Sequence, residues 1–240
     1  MKLITWNLQG ANDSDGSKWA IVATQFIKKY KADIVCLQES GWPLANPDFM
    51  RVYEENIELI PYPTRFKGNK PPDGVNYTQF IWRPFKNGRE EDIPIYVFWM
   101  ETDDDGHRVN LTILSLIKPY YLLYVEPVTV TDTFSTRPAI GINLGVPNFF
   151  CIHANARTKG GDAPRLIETI NDRYRVWFAA GDFNKDPDTE WNPAGVIWPP
   201  GSATHDNGSW LDYMVAYTGF NRGVVLNKQA SDHFPVEYVF

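Results

Sequence analysis

The sequence predicts an α/β fold in which two β-sheets pack together and helices cover them from outside. Two observations support this: about eleven short runs are rich in β-branched and aromatic residues, and only two stretches show clear helical spacing of apolar residues. The chain has 240 residues, of which 43% are hydrophobic and 22% charged, a composition typical of globular proteins. Because no Gly/Ser-rich linker or internal repeat divides it, we expect a single domain spanning residues 1–240.

Each of the two predicted helices carries one apolar stripe. They run from Ser17 to Tyr30 and from Asp162 to Tyr174. Asp162 is a suitable N-cap, because its carboxylate can accept a hydrogen bond from a free N–H group of the first turn. Pro164 also suits that first turn, where no backbone N–H is needed. The predicted strands run from Lys2 to Leu8, Asp33 to Gln38, Gln79 to Arg83, Pro94 to Met100, Val109 to Leu116, Ala139 to Leu144, Asn148 to Ile152, Arg175 to Ala180, Leu211 to Ala216, Val224 to Asn227 and Pro235 to Phe240.

The net charge of −6 argues against a protein that binds DNA mainly by bulk phosphate neutralisation, because such proteins usually carry a basic excess. It says little against an enzyme that touches a few phosphates. Cys36 and Cys151 lie inside apolar runs and are predicted to be buried free thiols. No apolar run approaches the ~20 residues of a transmembrane helix, and no signal peptide is recognisable at the N-terminus.

Polar residues stand where the predicted strands stop or begin. Taken singly, each has a plain structural interpretation: Asp and Asn often hydrogen-bond within their own turns, and a histidine among apolar residues is often a core residue. For all of them to be structural at once is improbable, and rigid strand ends are where chemical groups gather. The residues are Asn7, Glu39, His153, Asn155, Asp182, Asn184, Asp212, Asp232 and His233.

These residue types suit phosphoryl transfer assisted by Mg²⁺. This ion prefers hard oxygen ligands, commonly one or two carboxylates with water and substrate phosphate, and Glu39 and Asp232 can supply the carboxylates. Histidines, further carboxylates and amides can orient a water molecule and hold phosphate oxygens. The sequence has no Cys/His cluster at zinc spacing and no Walker-type glycine-rich loop.

The motifs TWN, QE, GDFN and SDH, in that order, resemble the signature of the endonuclease/exonuclease/phosphatase superfamily. The resemblance implies a four-layer sandwich of two mixed β-sheets flanked by helices. The stretches TWNLQG, RVNLTILS, STRPAIGINLG, LDYMV and ASDHFPV are similar to the nuclease subunits of cytolethal distending toxins, with the weakest match from Trp42 to Gly74. This implies a Mg²⁺-dependent endonuclease, with Mn²⁺ or Ca²⁺ as alternatives, secreted as a toxin with separate delivery subunits and acting on DNA in a target-cell nucleus.

The resemblance also implies roles for individual residues. His153 binds the scissile phosphate and Asp182 aligns the attacking water. His233, oriented by Asp212, is the general base or base relay. Glu39 and Asp232 are metal ligands, and the contacts to substrate come from Asn7 (which also adjoins the metal), Asn155, Asn184, Arg108 and Arg137.

One departure from the family pattern concerns Asn76, which stands where an acidic partner of His153 is expected. His107 and His205 lie in polar loops and are predicted to be solvated. Two other functions stay open at this point: a phosphoinositide phosphatase on the same fold, and a binding module without catalysis. The binding module predicts loss of the metal ligands, and the predicted ligands are present.

Overall fold

The computed structural model describes residues 1–10, 16–41, 57–58, 65–84, 93–102, 109–131, 134–189, 191–227 and 229–240. Its strands are β1 (Lys2–Asn7), β2 (Ile34–Gln38), β3 (Ile57–Glu58), β4 (Arg65–Phe66), β5 (Tyr77–Trp82), β6 (Ile95–Met100), β7 (Leu111–Ser115), β8 (Tyr121–Val125), β9 (Thr129–Thr131), β10 (Phe134–Ser135), β11 (Ala139–Asn143), β12 (Asn148–His153), β13 (Trp177–Asp182), β14 (Val196–Trp198), β15 (Asp212–Ala216), β16 (Val224–Val225) and β17 (Val236–Val239). The helices are α1 (Gly16–Ile21), which continues as a π-helix (Val22–Lys29), a 3₁₀ turn (Ala156–Thr158) and α2 (Ala163–Arg173).

Most strands belong to two mixed sheets. The first sheet has the order β16-β17-β1-β2-β7-β6-β5-β3, and the second has the order β14-β15-β13-β12-β11-β8-β4. Each sheet has a parallel pair near its middle, β1 with β2 and β12 with β13, while most other neighbours are antiparallel. Parallel neighbours end at the same edge of a sheet, so each central pair brings two strand ends together.

The layers follow from where the apolar side chains are buried. Side chains from both sheets, such as Cys36 and Cys151, fill the core between them. The outer face of the first sheet packs under α1 and the π-helix, where Trp6 meets Phe26 edge-to-face at 5.3 Å. The outer face of the second sheet packs under α2. The predicted four-layer sandwich of two sheets flanked by helices is confirmed.

All eleven predicted strands are present, with ends shifted by one or two residues. The sequence pattern did not predict β8, whose short apolar run YLLYV pairs with β11 inside the second sheet, or the two- and three-residue strands β3, β4, β9, β10 and β14. The predicted helix from Ser17 to Tyr30 forms, but its second half is a π-helix. Cys36 and Cys151 are buried free thiols, as predicted. In the described residues, no helix is long and apolar enough to span a membrane.

Asp162 stands at the N-cap position of α2, but its carboxylate does not cap the helix. It accepts the N–H groups of Asn155, at 2.9 Å, and Arg137, at 3.4 Å. The prediction that this carboxylate caps its own helix is therefore wrong. Backbone N–H groups of neighbouring segments bind its oxygens instead. The buried carboxylate thereby fixes the chain immediately after β12.

Candidate active site

The two sheets bring polar strand ends to a common region. In the first sheet Asn7 lies beside Gln38, so the end of β1 adjoins Glu39, which follows β2. In the second sheet His153 pairs with Asp182. Glu39 has a φ of +51°, a left-handed conformation that is uncommon for residues other than glycine and is often found at functional sites.

Asp182 lies at the centre of the cluster and is buried. Its Oδ1 accepts the N–H group of Asn184 at 2.8 Å, and its Oδ2 accepts the side-chain amide of Asn7 at 2.9 Å. The same Oδ2 lies 3.5 Å from Nε2 of His153. Burial, followed by the nearby charge of Asp212, raises the pKa of Asp182 to about 7, so this carboxyl group titrates near neutral pH.

His233 is paired with Asp212, which comes from the other sheet. The distance from Nδ1 of His233 to Oδ2 of Asp212 is 2.7 Å, and both side chains are buried. The backbone of His233 is held as well: its carbonyl accepts the indole N–H of Trp6, and its N–H donates to Ser231. Burial opposes a charge on the ring, but the charge and hydrogen bond of Asp212 outweigh it and raise the pKa of His233 to about 9.

His153 is electrostatically different from His233. Burial, with smaller effects from the positive charges of Arg137 and His233, lowers the pKa of His153 well below its usual value. Asp182 and Glu39 lie 3.5 and 3.8 Å from its Nε2 and act in the opposite direction, but Asp182 is itself only partly ionised near neutral pH. We therefore expect His153 to be neutral at pH 7.

The expected partnership between Asn76 and His153 is wrong. Asn76 is exposed and donates its amide to Glu101 at 2.6 Å. The Nδ1 atom of His153 is buried and has no hydrogen-bond partner in the part of the chain that the structure describes. Sequence position relative to the YT stretch was the only basis for the expectation, and the side chain turns towards Glu101 instead.

Asn7 is both a structural turn residue and a member of the polar cluster. Its Oδ1 accepts the N–H group of Gln9 at 2.8 Å, which is an ordinary Asx turn. Since a backbone N–H can only donate, this bond fixes the orientation of the amide, and Nδ2 then donates to Asp182 at 2.9 Å and to Glu39 at 3.4 Å. A turn residue of the first sheet thus connects to a carboxylate of the second.

His205 was predicted to be solvated, and this is wrong. Its side chain is only 20% exposed, and its ring packs perpendicular to that of His233 with centroids 4.6 Å apart. The contact arises because backbone bonds join the segment around His205 to residues 232–234, through Asp206 N–H to the Asp232 carbonyl and Phe234 N–H to the Thr204 carbonyl. The polar sequence THDNG gave no sign of this pairing.

Two groups in the described residues have the spacing to surround a cation: Asp182 with Asp212 and His233, and His205 with Asp232 and His233. Asp232, one of the predicted ligands, belongs to the second group, and no described residue forms a hydrogen bond with its buried Oδ1. Glu39, the other predicted ligand, is in neither group, although it lies beside Asn7 and His153.

The structure describes three of the four remaining residues that were predicted to contact substrate. Arg137 is close enough for its charge to act on His153, and its guanidinium donates to the Ala154 carbonyl at 3.3 Å. Asn184 donates to the same carbonyl at 2.9 Å. The side-chain oxygen of Asn155 caps the 3₁₀ turn. Arg108 lies outside the described residues.

Comparison with known proteins places this fold and site in one class. Residues 4–233 match the endonuclease/exonuclease/phosphatase family, and the chain belongs to that family. Within it, the chain is 31% identical to the CdtB subunit of the cytolethal distending toxin of Escherichia coli, covering 98% of this chain and 90% of that protein. It is also 31% identical to a homolog of that subunit in Salmonella typhi, covering 99% and 88%.

A solved structure supports the same relationship. The structure of CdtB, described as the biologically active subunit of cytolethal distending toxin, matches with a TM-score of 0.74 and 30% identity. The match covers 98% of this chain and 96% of that one. The similarity therefore extends over nearly the whole of both chains.

Proposed function

We propose that this chain is a metal-dependent phosphodiesterase of the toxin type that cuts DNA. The observation that supports this most directly is the convergence of two buried histidines and two buried carboxylates, Asp182 and Asp212, where the two sheets meet. Phosphate-ester hydrolysis needs a positioned water and neutralised charge more than a covalent nucleophile, and this set can provide both. Family membership and the similarity to toxin subunits support the same class of reaction.

The acidic groups fit a hard divalent cation, which the family implies. Asp232 has a buried oxygen that receives no hydrogen bond from the described residues, and Glu39 presents a partly exposed carboxylate beside Asn7. Because carboxylates are the side chains that Mg²⁺ prefers, Glu39 and Asp232 would hold the ion, with Mn²⁺ or Ca²⁺ as alternatives. When bound, the cation supplies positive charge that stabilises developing negative charge on phosphate oxygens and lowers the pKa of nearby groups.

The two unusual pKa values suggest how proton transfer is divided. A general base works best when its pKa lies near the working pH. Asp182, with a pKa of about 7, is partly ionised at neutral pH and can accept a proton from a water beside His153. His233, with a pKa of about 9 before the cation binds, is protonated at pH 7 and can give its proton to the oxygen that leaves when the P–O bond breaks. A cation held by Asp232 would lower the pKa of His233, which adjoins it, and in that state His233 can act as the base, the role implied by the family.

The remaining residues of the site would grip the substrate. The planar guanidinium of Arg137 matches the geometry of phosphate oxygens, and it lies near His153. A neutral His153 can donate one ring N–H to the same phosphate. Asn184 and Asn155 would contact neighbouring oxygens, with Arg108 as a further phosphate contact.

The direct test is conversion of supercoiled plasmid to nicked circles by the purified chain, with Mg²⁺, Mn²⁺ or Ca²⁺ and with EDTA. We expect cleavage only with a divalent cation, and a loss of ~2–4 orders of magnitude in His153→Ala, Asp182→Ala and His233→Ala. The exposed Asp172, on α2, gives a matched control, since Asp172→Ala should cleave like the wild type. Full cleavage in EDTA would refute the proposal.

A phosphoinositide headgroup, the other substrate left open by the sequence, gains no support from the geometry or the relatives. Phosphate release from phosphoinositide vesicles should therefore be slower than plasmid nicking at equal enzyme. If the vesicles are hydrolysed and the plasmid stays intact, the substrate assignment is wrong although the phosphoryl-transfer site stands.

We further propose that the chain is secreted as a toxin, works with separate delivery subunits and acts in the nucleus of a target cell. The support is the similarity to subunits of a multi-subunit toxin. Delivery of the purified chain into cultured cells by electroporation should produce nuclear DNA breaks, and the His153→Ala variant should not. Breaks that appear equally with both proteins would contradict this proposal.

A further inference from the structure

The carboxylate of Asp232 is held by the side chain of Gln9. The amide of Gln9 donates to Oδ2 of Asp232 at 2.7 Å, and its oxygen accepts the Asp232 N–H group at 3.1 Å. A glutamine can make both contacts because its amide carries a donor and an acceptor side by side. Gln9 is itself placed by Asn7, which accepts its backbone N–H, and by a left-handed φ of +54°.

His205 approaches the same oxygen of Asp232 from another side. Its Nδ1 accepts the N–H group of Asn207 at 3.1 Å, so in the neutral ring the proton is on Nε2. That Nε2 lies 3.5 Å from Oδ2 of Asp232, which is longer than a good hydrogen bond but close enough for an attractive contact. The same tautomer leaves Nε2 without a free lone pair, so His205 is poorly suited to bind a metal ion even though its spacing from Asp232 and His233 would allow it.

The two carboxylate oxygens of Asp232 have different surroundings. Oδ2 faces the donors of Gln9 and His205, whereas Oδ1 is buried, has no hydrogen-bond partner among the described residues and lies 4.0 Å from Nε2 of His233, beyond hydrogen-bonding distance. An unpaired buried oxygen of a carboxylate is costly unless a cation or a donor meets it. From this asymmetry we propose that Gln9 and His205 are positioning residues, which hold Asp232 so that Oδ1 alone is presented to the divalent cation. The inference rests on the proposed function.

Glutamine in this place also suits the charge of the site. A carboxylate in place of Gln9 would repel Asp232 at 2.7 Å, and an apolar side chain would leave Oδ2 and the Asp232 N–H group without their partner. Residues that orient a metal ligand typically contribute about 10-fold to 100-fold in metal affinity. We expect Gln9 to contribute in this range and His205, with its longer contact, to contribute less.

The test is calorimetric titration of Mn²⁺ into the full chain without DNA, using wild type, Gln9→Leu and His205→Phe. Phenylalanine keeps a ring against His233 but removes the donor. We expect the dissociation constant to rise about 10-fold to 100-fold in Gln9→Leu and by a smaller factor in His205→Phe. Gln229 offers a matched control, because it lies three residues before Asp232 and, among the described residues, its amide donates to the Asn227 carbonyl of its own loop. Gln229→Leu should bind Mn²⁺ like the wild type.

The plasmid assay separates positioning from a merely structural role. If Gln9 acts through Asp232, saturating Mn²⁺ should restore kcat in Gln9→Leu, with only the metal concentration for half-maximal activity increased. Unchanged Mn²⁺ affinity in both variants, or a kcat that stays low at saturating Mn²⁺, would overturn the inference while leaving the proposed function intact. Wild type that neither binds Mn²⁺ nor nicks DNA would instead refute the proposed function.

Discussion

Replacing Asp212 by asparagine should make the stability of the protein less dependent on pH. Asparagine can still accept the ring N–H of His233, but it removes the charge that chiefly offsets burial of that ring. We therefore expect the pKa of His233 to fall from about 9, because burial is then opposed only by Asp182 and Asp232. The loss of stability in the variant should be larger at acidic than at basic pH.

The size of the effect follows from the pKa of His233. A histidine with a pKa of 6.5 when unfolded and about 9 when folded stabilises the fold by roughly 3 kcal/mol, at ~1.4 kcal/mol per pKa unit. Because the folded pKa is raised, this contribution is complete below pH 6.5 and is lost as the pH rises through 9. Asp212→Asn should therefore lose about 2–3 kcal/mol more at pH 6 than at pH 9.5.

A second effect acts in the same direction. The charge of Asp212 also raises the pKa of Asp182, after burial, to about 7. A buried carboxyl with a raised pKa destabilises the fold increasingly as the pH rises from 3.8 through 7, because the folded state holds the proton more tightly. Removing the charge of Asp212 relieves this cost most at high pH.

The assay is urea unfolding at pH 6 and pH 9.5, with NMR titration of His233 in both proteins. Asp162→Asn is the matched control, since Asp162 is equally buried but accepts backbone N–H groups, and its effect should not change between the two pH values. Equal destabilisation by Asp212→Asn at both pH values would refute the reasoning. So would a His233 pKa that stays near 9 without Asp212.

Two further predictions concern the segment after β12 and the arginine near it. Gly160→Ala should cost at least ~2 kcal/mol in urea unfolding, because a Cβ there would lie 2.2 Å from the Phe183 carbonyl oxygen. The control is Gly68→Ala, which is also at positive φ but has open space around it and should cost only ~1–2 kcal/mol. Equal losses in the two variants would argue against the close approach at Gly160. Arg137→Ala should raise the pKa of His153 in NMR titration, raise the apparent KM for DNA and flatten the log-affinity against log-salt slope by about 0.9. An unchanged slope would remove Arg137 from phosphate binding.

Much of the site could be predicted from the sequence, because the ends of paired parallel strands lie side by side. Asn7, His153 and Asp182 are the last residues of central strands, and Glu39 directly follows another. Parallel pairing within each sheet brings these neighbouring ends together. Apolar runs with turn residues beside them were enough to locate those strands. Their proximity could thus be anticipated without knowing any distance.

Other features depended on contacts between segments that are distant in sequence. The turn of Asn76 towards Glu101, and the choice by Asp162 of loop N–H groups over its own helix, each involve local competition among several possible partners. The packing of His205 on His233 requires two loops to pair, which no periodicity signals. The single-domain organisation and the individual catalytic roles stay predictions.

The bonds that cross between distant segments have a consequence for biosynthesis. The indole of Trp6 donates to the carbonyl of His233, 227 residues further along the chain, and Asn7 bonds to Asp182 in the opposite sheet. A nascent chain emerging from the ribosome therefore carries the first of these groups long before it carries the last. Until translation has passed His233, the nascent chain lacks part of the candidate site, so the site can assemble only after nearly all of the described strands have been synthesised.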